Sequence, residues 1–226
     1  LVAMPITFLA ISALGVLIQR SCIERILDAP MYTQISVTFA ILLILRYTTL
    51  CIWGPDPKCI LTSYSDKTLR IGMALIAYPK LISCIVAIIT LAILHIFLTR
   101  TYLGIAIRAV AQNRVAAALM GIDIKKIYAL SFGLGVGLTA IAGTLLSTMY
   151  YIFPEFGAIF LLIIFTVVIL GGYRSLIGSF IGGLIIGTVE SLSALFITPA
   201  MKMVPAFLLF LIILLIKPTG LLGGKE

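Results

Sequence analysis

The chain has 226 residues, 62% of them hydrophobic and only 11% charged, with 16 Lys+Arg against 8 Asp+Glu. A soluble core of this length cannot absorb so much apolar surface, so the solvent for most of the chain is lipid. The net charge of +8 is not a nucleic-acid footprint, because the basic residues lie between apolar runs and form no single patch with stacking aromatics.

With about 20 apolar residues per span as the ruler, seven segments emerge, at 1–18, 34–53, 80–98, 127–148, 157–172, 176–196 and 203–217. The first opens LVAMPITFLA, with no basic leader, and reads as a chain entered part-way through a hydrophobic segment. QRSCIERILDAP, with charges of both signs, joins it to the second. The second ends at Trp53, an interface anchor, and Arg46 seven residues earlier is placed to snorkel outward along its stem. A polar-flanked loop runs from there to Pro79.

Cys22, Cys51, Cys59 and Cys84 lack metal-ligand spacing and read as small apolar residues in or near helices. Cys51 and Cys59, both near the outer face, are the one pair placed to bond. His95, inside the third span with no Glu or second His at helical spacing, reads as a hydrogen-bonded bundle residue, not a metal ligand.

The gap between spans three and four, residues 99–126, holds RAVAQNRVAAALMGID at 108–123. Its polar residues Arg108, Gln112, Asn113 and Arg114 share no helical face, which argues against a helix lying on a membrane surface. Two short pieces fit better. Asn113 is a good N-cap, Arg114–Met120 are strong helix formers, Gly121 is a natural stop, and Asp123 caps the next helix. A short capped helix outside the lipid suits docking into another protein. If this loop is cytoplasmic, ten Lys and Arg fall on its side and five on the other, which favours that orientation.

Span four carries Ser131, Gly135, Thr139, Gly143 and Ser147 at four-residue spacing, with Gly133 and Gly137 thinning a neighbouring face. Span six repeats the device with Ser179, Gly183, Gly187 and Ser191, and Gly178 and Gly182 beside them. Small residues let helix backbones approach where lipid provides no hydrophobic reason to associate, so these two spans are expected to form the bundle's core. Glu190 in span six either lines a substrate path or is tied to a backbone or hydroxyl partner.

No P-loop, zinc-protease helix, Ser/His/Asp set or carboxylate pair occurs, so no catalytic residue, metal or cofactor is assigned to this chain. A pore subunit with a short docking helix and no motor of its own points to a separate ATPase. A self-sufficient secondary transporter or channel would need intramembrane ion-coordinating carboxylates and an inverted repeat; only Glu190 qualifies.

GIAIRAVAQNRVAAALMGID, VVILGGYRSLIGSFIGGLIIGTVESLSA and the closing KPTGLLG resemble the permease subunits of branched-chain amino acid ABC importers, the Liv type. The resemblance covers residues 100–224 and implies an all-α polytopic bundle, with residues 1–226 as a single transmembrane permease domain. It also implies a second related permease, two ATPases that use ATP and Mg, an extracytoplasmic binding protein, and a bacterial or archaeal cytoplasmic membrane. Its 108–121 region is similar to the coupling helix of those permeases, which assigns ATPase coupling to Arg108, Ala109, Gln112, Asn113, Ala116, Ala117 and Gly121. The chain departs from the family pattern at Ile163, where a Lys is common. Leucine-like amino acids are the leading substrate class, with urea and short amides as the alternative.

Overall fold

The computed structural model describes residues 3–60, 62, 68–71, 74–173, 175–196, 201, 203–217 and 220–221. Helices occupy all seven predicted segments: α1 (Ala3–Ile18), α2 (Met31–Trp53), α3 (Tyr78–Arg100), α6 (Ile124–Leu146), α7 (Phe156–Gly171), α8 (Leu176–Phe196) and α9 (Met203–Ile216). Two shorter helices, α4 (Tyr102–Gln112) and α5 (Arg114–Leu119), fill the predicted docking loop.

Among the described residues, five helical runs are long and apolar enough to cross a membrane, the first continuing from α1 to Ile26. The helices α7 and α9, of 16 and 14 residues, span only about 24 and 21 Å at 1.5 Å per residue, short of a hydrocarbon core of about 30 Å. One feature departs from the all-α expectation. The loop between α2 and α3 contains a two-stranded antiparallel ribbon, β1 (Thr68–Ile71) paired with β2 (Ala74–Ala77), Thr68 opposite Ala77 and Ile71 opposite Ala74.

The chain divides into two compact units, Leu1–Pro154 and Glu155–Glu226, where the sequence reads as one domain. In the first, α1 packs along α6. The glycines that permit this are Gly133 and Gly137: a methyl on Gly137 would meet the Phe8 ring at 2.7 Å, and one on Gly133 the Ser12 carbonyl at 3.1 Å. From α1, Gly15 answers Val136 in the same way, and the Thr7 and Thr144 hydroxyls meet at 3.3 Å. At the far end of α6, Lys58 and Ile152 exchange backbone hydrogen bonds of 2.9 and 2.8 Å, joining the connectors that follow α2 and α6.

The predicted ridge falls elsewhere. A methyl on Gly135 or Gly143 meets nothing within 4 Å. At about 100° per residue, Gly135 lies about 200° round the helix from Gly133, so the two glycine sets face nearly opposite ways. What selects between them is the partner, since the Phe8 ring and Val16 side chain need hollows and only the Gly133–Gly137 face supplies them.

In the second unit, α7 and α8 cross through Gly171, Gly178 and Gly182, and a methyl on Gly178 would fall on the Gly171 carbonyl. Ser175 starts α8 by accepting the Gly178 amide at 2.9 Å. The predicted ridge is again displaced, with Gly183 in ordinary contact with Val167 and Gly187 facing open space. Leu170, Ile186 and Ala206, from α7, α8 and α9, form the buried centre, with Ile163 packed against it. After α9 the chain folds back so that Leu221 donates to the Leu170 carbonyl at 2.8 Å. The helices α6 and α8 are thus each the packing centre of its own unit.

Gly178→Ala is expected to destabilise the second unit by about 1–3 kcal/mol through overpacking. Gly135→Ala and Gly187→Ala should stay within about 0.5 kcal/mol. Unfolding midpoints of the chain in detergent micelles separate the two classes.

Candidate coupling region

The corner between α3 and α4 is made by Thr101. Its hydroxyl donates to the Phe97 carbonyl at 2.7 Å and accepts the Gly104 amide at 3.1 Å, serving an orphan acceptor of one helix and an orphan donor of the next. Gly104 permits the sharp turn, because a methyl there would collide with the Phe97 and Leu98 backbone. The helix α4 is amphipathic, with Gly104, Ala106 and Val110 buried.

At Asn113 the backbone is extended, and its side-chain oxygen accepts the Ala116 amide at 3.0 Å, starting α5. Gly121 ends α5 with φ +80, a left-handed conformation that costs a side-chain-bearing residue. The Gly121 amide donates to Ala118 at 3.0 Å and the Ile122 amide to Ala117 at 3.1 Å, the paired bonds of a Schellman stop. Two residues on, Asp123 accepts the Lys126 amide at 3.2 Å and pairs with its ammonium at 3.0 Å, starting α6. The Lys126 side chain holds the Asp123 carboxyl below the usual carboxylate range. A lowered pKa means the charged cap is fully present above the ordinary value and is lost only as pH falls through the lowered one. All three predicted boundary residues, Asn113, Gly121 and Asp123, sit where the sequence places them.

One small core unites the three helices: Ala106 and Val110 from α4, Ala117 from α5 and Ile127 from α6, ringed by Ile107, Ile122, Ile124 and Tyr128. Of the residues assigned to coupling, Arg108, Gln112, Asn113, Ala116 and Gly121 are exposed and Ala109 is half-buried. Ala117 is 4% exposed and presents nothing to a partner; its methyl packs α5 onto its neighbours.

The large apolar side chains of α5 stand in solvent. Val115, Leu119 and the capping Met120 are 70%, 84% and 82% exposed. Val115 and Leu119 are one turn apart, so they share a face. Their four-residue spacing is written in the sequence, but no polar residue marks the face they form.

Two ion pairs tie this region to the connector between α1 and α2. Arg114 meets Asp28 at 3.0 Å and Lys125 meets Glu24 at 2.9 Å. The Arg114 guanidinium also lies 5.8 Å from the Tyr128 ring centre, within cation–π range. These bonds put the 19–29 connector and the 99–126 region at one end of the first unit, as the charge count expects.

The remaining assigned residues lie apart from this region. Glu190 is half-buried on α8 in the second unit, and His95 is exposed on α3. Cys51 and Cys59 are both free thiols. Among the described residues no group of three or more His, Cys, Asp or Glu side chains is placed to hold a metal. A groove of about 390 Å³ in the first unit runs between α1, α3 and α6, and Thr90 is the only polar side chain lining it. It offers no charged partner for the ammonium or carboxylate of an amino acid.

Asn113→Ala should cost about 1 kcal/mol of local helix stability, and Asn113→Asp should restore most of it. Gly121→Val, which places a β-branched residue at positive φ, should cost about 1–2 kcal/mol. Amide hydrogen exchange over 114–122 reads both effects.

A family profile described as "Branched-chain amino acid transport system / permease component" matches residues 1–214. The high-affinity branched-chain amino acid transport system permease protein LivH of Escherichia coli is 38% identical over 143 residues, 63% of this chain and 46% of the relative. BraD of Pseudomonas aeruginosa, a permease protein of the same description, is 36% identical over 152 residues, 67% of this chain and 50% of its own length. A probable branched-chain amino acid transport permease protein LivH of Methanocaldococcus jannaschii is 36% identical over 149 residues, 63% of this chain and 47% of the relative. The chain thus spans about half the length of the curated relatives it matches. No solved structure matches. With a profile match over nearly its whole length and apolar helices in every predicted segment, the chain belongs to the permease component family of branched-chain amino acid transport systems.

Proposed function

We propose that this chain is a permease subunit of an ATP-driven importer in a bacterial or archaeal cytoplasmic membrane, and that α5 with its flanking caps is where partner ATPases engage it. The observation that carries this reading is the physical character of α5. It is a six-residue helix stopped at both ends by side-chain and backbone caps, with an apolar face of Val115, Leu119 and Met120 left in solvent. Apolar side chains at such exposure gain free energy only when a partner covers them.

The same helix is joined rigidly to a membrane-crossing one. Only Met120–Asp123 separate α5 from α6, both ends of that link are hydrogen-bonded, and Ala117 and Ile127 share a core. ATP binding that closes the partner ATPases would shift α5 and carry the start of α6 with it. Because α1 interlocks with α6 through Gly133 and Gly137, the displacement passes into a packed helix pair and switches access from one side to the other. ATP and Mg are used by the ATPases. A second related permease completes the translocation path, and an extracytoplasmic binding protein delivers substrate.

The substrate reading is branched-chain or related small amino acids, supported by the names of the relatives. Urea and short amides are the alternative within the family, motivated by Ile163, which packs as an apolar side chain in the second unit at the position where the sequence resemblance implies a Lys.

Leu119→Asp and Met120→Asp, in the full-length chain co-expressed with its partners, should reduce the ATPase retained on purification at least about tenfold, because each buries a carboxylate in the contact. Leu17→Asn, on an exposed stretch of α1, should leave retention unchanged. Full retention and uptake with both docking-face variants would remove the assignment.

A further inference from the structure

We propose that Asp28 and Glu24, on the connector between α1 and α2, are positioning residues for the coupling region, holding α5 and the start of α6 in the orientation a partner engages. The inference rests on the reading of α5 as the ATPase-docking element.

The geometry begins with how short α5 is. Six residues make fewer than two turns, and one side chain, Ala117, anchors the helix in the local core. The Schellman stop and the Asp123 cap fix its C-terminal end to α6. Its other end continues into α4 through the single residue Asn113, whose amide donates to the Ala109 carbonyl at 3.0 Å, so the ties named so far all lie within the α4–α5–α6 corner. Arg114 sits at the other end, and its Nη1 is bonded to Asp28 Oδ1 at 3.0 Å. That bond ties the N-terminal end of α5 to the α1–α2 connector, outside the local corner, and so sets the direction of α5 relative to the rest of the first unit.

A second bond repeats the arrangement one helix on. Lys125, in the first turn of α6, places its Nζ 2.9 Å from Glu24 Oε1, and Glu24 is only 25% exposed. Both carboxylates come from one short piece of chain whose backbone is unusual. After α1 the helix widens into a π turn over Gln19–Ile23, with Gln19 buried, and then tightens into a 3₁₀ turn over Glu24–Ile26. Such irregular turns recur where a helix must re-aim its side chains at a functional site. The connector is itself held, since the Gln34 amide group donates to the Leu27 and Ala29 carbonyls at 3.1 and 3.0 Å. Asp28 and Glu24 therefore stand on a fixed platform.

Exposed ion pairs add little to overall fold stability, and Asp28 is 84% exposed in its side chain. Their consequence is directional. Motion of α5 pulls on the α1–α2 connector through Asp28, and motion of the α6 start pulls on it through Glu24. A displacement imposed on one short helix thus reaches α2 as well as α6, although α2 has no buried residue of its own.

The test uses the full-length chain assembled with its second permease and ATPases in proteoliposomes, reading leucine imported per ATP hydrolysed. Asp28→Arg should lower that ratio about two- to fivefold while the ATPases remain bound, and Asp28→Arg with Arg114→Asp should restore it. Glu24→Lys and its swap with Lys125→Glu should behave alike. A purely structural role predicts lost assembly with no rescue by the swap. An unchanged ratio in Asp28→Arg and Glu24→Lys, or swaps that fail to restore it, overturns the proposal. Leu119→Asp run beside them separates the two levels. If it releases the ATPases while the charge variants stay coupled, the docking reading stands and the positioning role falls. If it retains both ATPases and uptake, the docking reading falls and takes the proposal with it.

Discussion

Helices in a bilayer gain no hydrophobic free energy by meeting one another, since the lipid tails they leave are as apolar as the side chains they touch. Contact has to come from backbones approaching closely enough for dispersion to act, and that constraint decides where glycine is required. In the first unit the approach is made at Gly15, Gly133 and Gly137, where the Phe8 ring and Val16 side chain enter hollows on α6. In the second it is made at Gly171, Gly178 and Gly182, where two backbones meet with no side chain between them. Outside these places many Leu, Ile and Phe side chains stand exposed on the helices, as an apolar solvent permits.

The 99–126 region obeys the opposite constraint. It lies between apolar spans and is rich in polar and charged residues, so its stability comes from satisfying helix ends and not from burying a stripe. Thr101, Asn113, Gly121 and Asp123 each supply an end of a helix with a partner, and the shared core of Ala106, Val110, Ala117 and Ile127 is small. A structure built this way is stiff along its backbone while leaving its outer face uncommitted. The apolar side chains left on that face are what a partner can bury, and the ion pairs to Asp28 and Glu24 give the region its bearing on the rest of the first unit.

Much of this was legible in the sequence, for identifiable reasons. Spans are written in long apolar runs, and helix ends are written locally, so Asn113, Gly121 and Asp123 could be assigned from their neighbours alone. Packing faces are different, because they depend on a partner remote in sequence. The four-residue series through Gly135 and Gly143 was the more regular pattern, yet the close approach uses Gly133 and Gly137, since only Phe8 and Val16 determine which face is filled. Ala117 illustrates the same limit, being the middle one of three consecutive alanines, 116–118, of which it alone is turned inward and buried. The β1–β2 ribbon and the pairs from Asp28 and Glu24 were invisible for a related reason, as neither has a local periodicity that marks it.

The central claim is that the apolar face of α5 lies against an ATPase in the assembled transporter. The most direct measurement places a photo-crosslinking amino acid at Leu119 of the full-length chain in native membranes and identifies what it captures. The account predicts an adduct with the ATPase, absent when the same label replaces Ile89, exposed midway along the apolar α3. Labelling of lipid or of the chain itself at Leu119, with no ATPase adduct, would contradict it.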